Sequence, residues 1–252
     1  MSLIGKSALT LFGALTLLPA SAKVQDEINQ VYDFDAKGTI ELSNINGDVT
    51  ITACDCNQVT LRAEISASTQ ALRDRISVEI DASTSRLSVK TEYQKAQDKG
   101  YNQGHSRVDY TLMVPNQVNL DEIELVNGNL TIKGVSGTLD ADLVNGNLSS
   151  DGSAADIKVD SVNGNVDIEL NRFDSTKRID LESVNGTITL RLPNLDDVNL
   201  DASTVNGSLS NDFGVAVKKH KWVGASMAAS NGNGAVKVEL ENVNGAIRVL
   251  QR

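Results

Sequence analysis

Apolar and polar residues alternate along most of the chain after residue 37. Clear examples are Thr187-Ile188-Thr189-Leu190 and Val236-Lys237-Val238-Glu239-Leu240. A period of two residues places alternate side chains on opposite faces of a strand. The longer period of an amphipathic helix does not recur after residue 22, and only Thr69 to Arg75 reads as one short helical turn. The pattern therefore predicts an all-β protein whose strands bury one face.

A three-residue motif, Val-Asn-Gly or Ile-Asn-Gly, recurs between these alternating segments. It begins at Ile45, Val126, Val144, Val162, Val184, Val205 and Val243. From Val126 onward, the intervals are 18, 18, 22, 21 and 38 residues. The last interval predicts two units, with a degenerate motif between them near Val223-Gly224. Gly47 and Gly128 are 81 positions apart, which corresponds to about four units of similar length.

Fixed positions around the motif are apolar in every regular unit. Three residues before the motif stand Ile123, Ala141, Val159, Leu181, Ala202 and Leu240. Two residues after its glycine stand Leu130, Leu148, Val166, Ile188, Leu209 and Ile247. These two sets are expected to form the core, because they are apolar at the same phase of the alternation in each unit.

Two architectures fit strands that are separated by Asn-Gly. In an antiparallel hairpin meander, each Asn-Gly is a tight turn. In a β-solenoid, each is a corner, and asparagines of stacked coils can hydrogen-bond to one another at a spacing of about 4.8 Å. The repeat favours the solenoid, with coils of 18–22 residues, because a meander has no reason to keep asparagine at one position. The predicted ladder consists of Asn46, Asn127, Asn145, Asn163, Asn185, Asn206 and Asn244.

Three stretches resemble a known family, the bacterial putative-adhesin β-strand-repeat family of exported proteins of unknown function. They are Val108-Asp109-Tyr110-Thr111-Leu112-Met113-Val114-Pro115, the segment from Thr187 to Pro193 with Thr204-Val205-Asn206-Gly207, and the segment from Asn231 to Gly245. The resemblance spans most of residues 38–250. It implies a single-stranded, right-handed parallel β-helix with no established catalytic residues, and an adhesin-like role.

The N-terminus reads as a secretory signal peptide over residues 1–22. Lys6 is followed by an apolar run from Ala8 to Leu18 and by Pro19-Ala20-Ser21-Ala22, a small-residue cleavage pattern. The run is too short to span a membrane. We therefore expect cleavage near Ala22 and a periplasmic or secreted protein. Residues 23–37 are predicted to be a linker or N-terminal cap, and residues 38–252 a single solenoid domain.

Within the predicted domain, the regularity of the sequence varies. Residues 38–115 form irregular coils, residues 94–107 a polar surface loop, and residues 116–252 the regular repeats. The formal net charge is −10, and loss of Lys6 with the signal peptide makes it −11. This charge argues against nucleic-acid binding, which requires a basic face. It permits a cationic partner.

Acidic residues flank the apolar position that precedes each motif. The outward positions on its two sides hold Glu122, Asp140, Lys158, Asp180, Asp201 and Glu239, and Glu124, Asp142, Asp160, Glu182, Ser203 and Glu241. Stacked coils would align the ten acidic residues of these sets into two columns about 4.8 Å apart within each column. One interpretation is a solvated face that discourages strand association. The other is a docking strip for a cationic partner or for weakly bound Ca²⁺, whose preferred ligands are carboxylate oxygens.

Candidate chemistry elsewhere is sparse. Cys54 and Cys56 are the only cysteines, and with His105 and His220 as the only histidines a zinc site is not indicated. An oxidising compartment favours a Cys54–Cys56 disulfide, but two free thiols stay open as an alternative. We predict no catalytic residues, no cofactor other than weakly bound calcium, and an unidentified envelope or surface partner.

The sequence thus predicts an exported, non-enzymatic β-solenoid that acts as a binding or scaffold module of the cell envelope. The alternative is a polysaccharide-acting hydrolase or lyase on the same fold. A cleft would distinguish the two, formed by a long loop beside a carboxylate pair. Residues 94–107, with Lys95, Lys99, Tyr101 and His105, are the candidate loop.

Overall fold

The structure, a computed structural model, describes residues 23–94, 104–173, 175–221 and 223–252. The predicted signal peptide and most of the predicted loop 94–107 lie outside these residues. The strands are β1 (Val24–Asp33), β2 (Thr39–Asn46), β3 (Val49–Cys54), β4 (Gln58–Ala67), β5 (Ile76–Ala82), β6 (Arg86–Tyr93), β7 (Ser106–Pro115), β8 (Asn119–Asn127), β9 (Leu130–Lys133), β10 (Leu139–Asn145), β11 (Leu148–Ser153), β12 (Ile157–Asn163), β13 (Val166–Leu170), β14 (Arg178–Asn185), β15 (Ile188–Leu192), β16 (Val198–Asn211), β17 (Val217–Lys219), β18 (Ala225–Ser230) and β19 (Val236–Gln251).

One helical turn, α1 (Gln70–Arg73), follows β4. Its first turn is capped by Thr69, whose hydroxyl accepts a hydrogen bond from the backbone N–H of Leu72 at 3.3 Å. The predicted short turn between Thr69 and Arg75 is therefore confirmed.

The Asn-Gly motifs that begin at Val126, Val144, Val162 and Val184 lie at corners between two strands, whereas those at Val205 and Val243 lie within β16 and β19. β8, β10, β12 and β14 pair in parallel, and so do β9, β11, β13 and β15. Leu139 of β10 lies opposite Ile157 of β12, which is eighteen residues later in the sequence. Successive units therefore stack on one another. The prediction of an all-β, solenoid-like sheet is confirmed, and the hairpin meander is wrong for these units.

The glycine of the motif is required by the close approach of stacked corners. Gly164 has a φ of +148°, and a Cβ built on it would lie 1.8 Å from the carbonyl oxygen of Gly146 in the preceding coil. Its own N–H donates to the carbonyl oxygen of Asn185 in the next coil at 3.0 Å. A residue with a side chain fits neither the backbone conformation nor the space.

The apolar positions predicted from the repeat form the core. Leu181 lies between Val159 and Leu240 of the neighbouring coils, and all three are at most 1% exposed. On the other side of the corner, Ile188 lies opposite Val166 and is fully buried. A continuous apolar interior follows, because every coil contributes the same two positions.

The order of the coils departs from the order of the sequence at the C-terminal end. β19 pairs in parallel with β14 and β15 on one side and with β16 on the other. β18 then pairs antiparallel with β16, and β17 with β18. The expected degenerate coil near Val223 is therefore wrong. β17 and β18 form an antiparallel pair of strands instead, and the last unit of the sequence lies inside the stack.

A similar departure occurs at the N-terminal end. Asn46 of β2 lies directly opposite Asn127 of β8, so the segment between them, which covers an interval of 81 positions, does not form four successive coils. Within this segment, β6 pairs in parallel with β2, and β7 pairs in parallel with β3, on the side away from β8 and β9. In addition, β4 pairs antiparallel with β7, and β5 pairs antiparallel with β6. The segment 23–37, predicted as a linker or cap, contains β1, which pairs with β4 along its whole length.

Candidate ligand-binding groove

The seven motif asparagines form one hydrogen-bonded column along the corner of the stack. Six hydrogen bonds join them: every side-chain amide nitrogen except that of Asn46 donates to the amide oxygen of a neighbouring asparagine in the column, at 2.9–3.1 Å. The column runs through Asn46, Asn127, Asn145, Asn163, Asn185, Asn244 and Asn206 in that order. An asparagine amide both donates and accepts, so the same bond can recur at every level. These amides are occupied by one another and serve the fold.

A second column follows the residue after the motif glycine. The backbone N–H and side-chain amide of Asn147 both donate to the Asn129 side-chain oxygen, at 3.0 and 3.1 Å. Asp48 accepts equivalent bonds from Asn129 at one end, and Asn165 accepts from the backbone N–H of Thr187 at the other. The backbone bond from Asn129 is the largest cause that lowers the pKa of Asp48. The sequence interpretation missed this column, although the recurring Val-Asn-Gly-Asn carries its signal.

Five carboxylates stand in adjacent strands on the outer face, two residues before the exposed residue of each motif. We call them the carboxylate row, and they are Glu124, Asp142, Asp160, Glu182 and Glu241. The same line continues through Ser43 to Lys90 at one end and through Ser203 and Ser226 to Lys218 at the other. The row is therefore an uninterrupted line of acids with polar and then basic residues at both ends.

The other predicted acidic column is a mixed row of both charges. Lys158 lies between Asp140 and Asp180 in the register of the strands. It forms an ion pair with Asp140 at 3.5 Å, and Arg178 pairs with Asp180 at 2.8 Å and with Glu239 at 2.5 Å. Asp201 lies beside Glu239 in this row. Basic side chains of the protein itself therefore neutralise much of this column.

Glu122 departs from the predicted register. A bulge in β8 shifts the pairing, so that Leu139 lies opposite Leu120 but Ala141 lies opposite Ile123. Glu122 itself has a φ of +52°, which is uncommon for a residue with a side chain. The extra residue of the bulge removes Glu122 from the mixed row.

The carboxylate row lacks the compensation found in the mixed row. Lys158 pairs with Asp160 at 3.2 Å, but within the described part of the chain Glu124, Asp142, Glu182 and Glu241 have no ion-pair partner. Partial burial is the largest cause that raises the pKa of Asp142, followed by the charge of Asp160. Burial, again followed by Asp160, raises the pKa of Glu182. The row therefore holds negative charge at a cost to the folded protein.

A row of exposed aliphatic side chains runs beside the carboxylate row. We call it the valine row, and it comprises Ile45, Val126, Val144, Val162, Val184, Val243 and Val205. Its members are 37–48% exposed. Their outward position follows from the alternation, because each lies two residues after a member of the outward line that holds the carboxylate row. The sequence analysis used these residues only to align the repeat and did not identify them as a surface.

The two rows enclose a shallow groove of about 350 Å³, which we call the outer groove. Its walls include Asp142, Asp160, Glu182 and Glu241 on one side and Val144, Val162, Val184, Val243 and Val205 on the other. An aligned apolar surface of this kind, rimmed by polar residues, is typical of interaction sites. The outer groove therefore combines an aliphatic wall with a wall of carboxylates, of which only Asp160 has an ion-pair partner in the described part of the chain.

Three other sequence predictions concern metal binding, membrane-spanning segments and the candidate loop 94–107. In the described ranges, no group of three or more His, Cys, Asp or Glu residues is arranged to hold a metal ion, and weak Ca²⁺ binding stays a prediction. The same ranges contain no helix that is long and apolar enough to cross a membrane. Of the four residues named in the candidate loop, Lys95, Lys99 and Tyr101 lie outside them. His105 lies in a separate depression that Asn46 and Asn127 also line.

Cys54 and Cys56 form a disulfide that spans the end of β3. Both cysteines are half-buried, and Asp55 between them is exposed. This cross-link lies within one corner of the stack, because only Asp55 separates the two cysteines.

Comparison with known proteins identifies a family. The family model described as Toastrack DUF4097 matches residues 33–250, and this match confirms the resemblance that the three sequence stretches indicated. No curated protein matches the sequence.

Solved structures with similar folds have low sequence identity to the chain. A "putative cell adhesion protein" from Clostridium sporogenes has 12% identity and a TM-score of 0.49, with 92% of this chain and 100% of that chain covered. A "putative adhesin" from Bacteroides fragilis has 13% identity and a TM-score of 0.44, with coverage of 89% and 97%. A "putative lipid binding protein" from Parabacteroides distasonis has 13% identity and a TM-score of 0.33, with coverage of 91% and 96%.

Proposed function

Because the chain belongs to the Toastrack DUF4097 family, we propose that it is an exported, non-enzymatic binding module of the bacterial cell envelope with an adhesin-like role. The proposal includes a signal peptide cleaved near Ala22 and a periplasmic or secreted mature protein. It also includes a right-handed, single-stranded solenoid with coils of 18–22 residues. The sequence pattern supports the signal peptide and the coil length, and the family resemblance supports the right-handed, single-stranded solenoid.

The outer groove is the observation that carries the proposal. Soluble proteins rarely leave long aligned apolar surfaces exposed unless they bind something. In the valine row, seven β-branched side chains in adjacent strands are each at least 37% exposed. In the neighbouring carboxylate row, only Asp160 has an ion-pair partner within the described part of the chain. Together they form a continuous binding face on a rigid sheet, a suitable arrangement for a module that recognises a partner.

The test is saturable binding of the purified protein to envelopes of its source bacterium. A groove variant carries Val144→Ser, Val162→Ser and Val184→Ser, which change exposed side chains and leave the core intact. A matched control variant carries Val31→Ser, Met113→Ser and Val217→Ser, which are also exposed apolar residues but lie outside the outer groove. We expect binding to fall at least tenfold in the groove variant and to be unchanged in the control variant.

Two results would contradict the proposal. One is an absence of saturable binding to envelopes. The other is equal binding by the wild-type protein and the groove variant while circular dichroism shows both to be folded. Release of reducing ends from envelope polysaccharide by the wild-type protein would favour the hydrolase alternative instead.

A further inference from the structure

We propose that the outer groove binds a linear aliphatic polyamine, with its ammonium groups on the carboxylate row and its methylene groups on the valine row. The inference rests on the proposed binding function and names the ligand class for that site. It follows from three properties of the groove: its width, its repeat distance and the pairing of one charged wall with one apolar wall.

The dimensions of the groove favour a narrow, linear ligand. Five members of the valine row line the outer groove, and at a strand spacing of about 4.8 Å they span about 19 Å. The two rows are two residues apart along each strand, which is about 7 Å. The resulting strip of about 130 Å² is far smaller than the roughly 800 Å² per partner that a stable protein interface buries. Its length and narrowness suit a single extended chain.

The charge of the groove requires a cationic ligand. The row contains five carboxylates, and Lys158 is the basic side chain that forms an ion pair with the row in the described part of the chain. Partial burial raises the pKa of both Asp142 and Glu182, so positive charge placed beside them would relieve an existing cost. The basic residues Lys90 and Lys218 lie only at the two ends of the line.

The repeat distance identifies the kind of cation. Carboxylates of adjacent strands recur about every 4.8 Å. From ordinary bond lengths, two amines lie about 5 Å apart across three methylenes and about 6 Å apart across four. A tetraamine with such spacers is about 16 Å long, so its nitrogens can meet four successive members of the row. Its methylene groups then lie against the valine row, where burial of each CH₂ is favourable.

This combination also distinguishes the proposed ligand from a divalent ion. Ca²⁺ requires six to eight oxygen ligands that surround it. A straight row on an open face offers carboxylates along one line, and the valine row supplies no oxygen ligands. The aliphatic wall gains nothing from a bare ion, whereas it contributes to the binding of a chain with methylene spacers.

Isothermal titration calorimetry with spermine, a linear tetraamine, tests the proposal on the purified protein. The carboxylate-row variant removes two of the five charges by Asp142→Asn and Glu182→Gln, and a second is the Val144→Ser, Val162→Ser, Val184→Ser groove variant. A charge-control variant carries Asp35→Asn and Asp196→Asn, which remove the same charge at exposed positions outside the groove. We expect saturable spermine binding that weakens at least tenfold both in the variant with the two carboxylate substitutions and in the groove variant. In the charge-control variant it should weaken less than twofold.

Comparison ligands identify what the groove recognises. 1,12-Diaminododecane has a similar length but charges only at its ends, so we expect it to bind at least tenfold more weakly than spermine. Ca²⁺ at equal charge and NaCl at matched ionic strength should not displace spermine. Tetralysine should bind more weakly than spermine, because its charges branch from a polar backbone.

The following results would overturn the polyamine inference: no saturable spermine binding, equal binding by all variants, displacement by Ca²⁺, or tenfold tighter binding of tetralysine. The first would leave the proposed function intact if envelope binding still depended on the valine row. Conversely, spermine binding that depends on both rows, without any binding to envelopes, would refute the envelope role and retain the ligand.

Discussion

Replacement of Gly164 by alanine tests whether contact between stacked corners explains the recurrence of glycine in the motif. Gly164 has a φ of +148°, and its added Cβ would lie 1.8 Å from the carbonyl oxygen of Gly146 and 2.6 Å from the carbonyl carbon. Backbone strain of this kind costs about 1–3 kcal/mol. Overpacking adds about 1–3 kcal/mol. We therefore expect Gly164→Ala to lower the free energy of unfolding by about 2–6 kcal/mol.

Gly214 provides the matched control. Its φ is +72°, so alanine is also unfavourable there, but no atom lies within 4 Å of the built Cβ. The expected cost of Gly214→Ala is only the backbone term, about 1–2 kcal/mol. The difference between the two variants isolates the contact between the coils.

Urea unfolding followed by far-ultraviolet circular dichroism measures both free energies. In thermal unfolding, each kcal/mol corresponds to about 2–4 °C for a chain of this size. Equal losses in Gly164→Ala and Gly214→Ala would refute the reasoning, because the corners would then have room for a methyl group. A wild-type stability for Gly164→Ala would refute it more strongly.

Two further predictions concern the core and the carboxylate row. Leu181→Ala removes most of a fully buried side chain between two coils, so it should lower the free energy of unfolding in urea by about 2–5 kcal/mol. Ser149 is exposed, so Ser149→Ala should change that free energy by no more than about 0.5 kcal/mol. Similar losses in the two variants would mean that the buried and exposed faces of the strands are reversed. Burial raises the pKa of Asp142 and Glu182, so the folded protein binds their protons more tightly than the unfolded chain does, and each ionised group lowers stability above its raised pKa. The Asp142→Asn, Glu182→Gln variant should therefore have a higher melting temperature than the wild type at neutral pH. This difference should disappear as the pH falls below the ordinary pKa values of the two carboxyl groups, 3.8 for Asp142 and 4.5 for Glu182. A difference that persists at lower pH would show that ionisation of these two groups is not its cause.

The local pattern of the sequence determined the strands, the buried positions and the corners. Leu181 and Ile188 could be assigned to the core because alternation fixes which face a side chain occupies. Asparagine at a constant place in each unit predicted a column, and the hydrogen bond from Asn163 to Asn145 at 3.0 Å belongs to it. The exposure of the valine row was also determined by alternation, although its value as a surface was not recognised.

Only the tertiary structure decided the order of the coils and the charge of the outer face. The distance between two motifs in the sequence cannot tell a coil from an antiparallel excursion, since the entropy cost of closing a loop rises slowly with its length. Thus Asn46 meets Asn127 directly, and β19 lies between β14 and β16. Arg178 reaches Glu239, 61 residues away, only because that order makes β14 and β19 neighbours. The same long-range pairing places Glu241 beside Glu182 in the carboxylate row, next to the valine row, and this arrangement creates the outer groove.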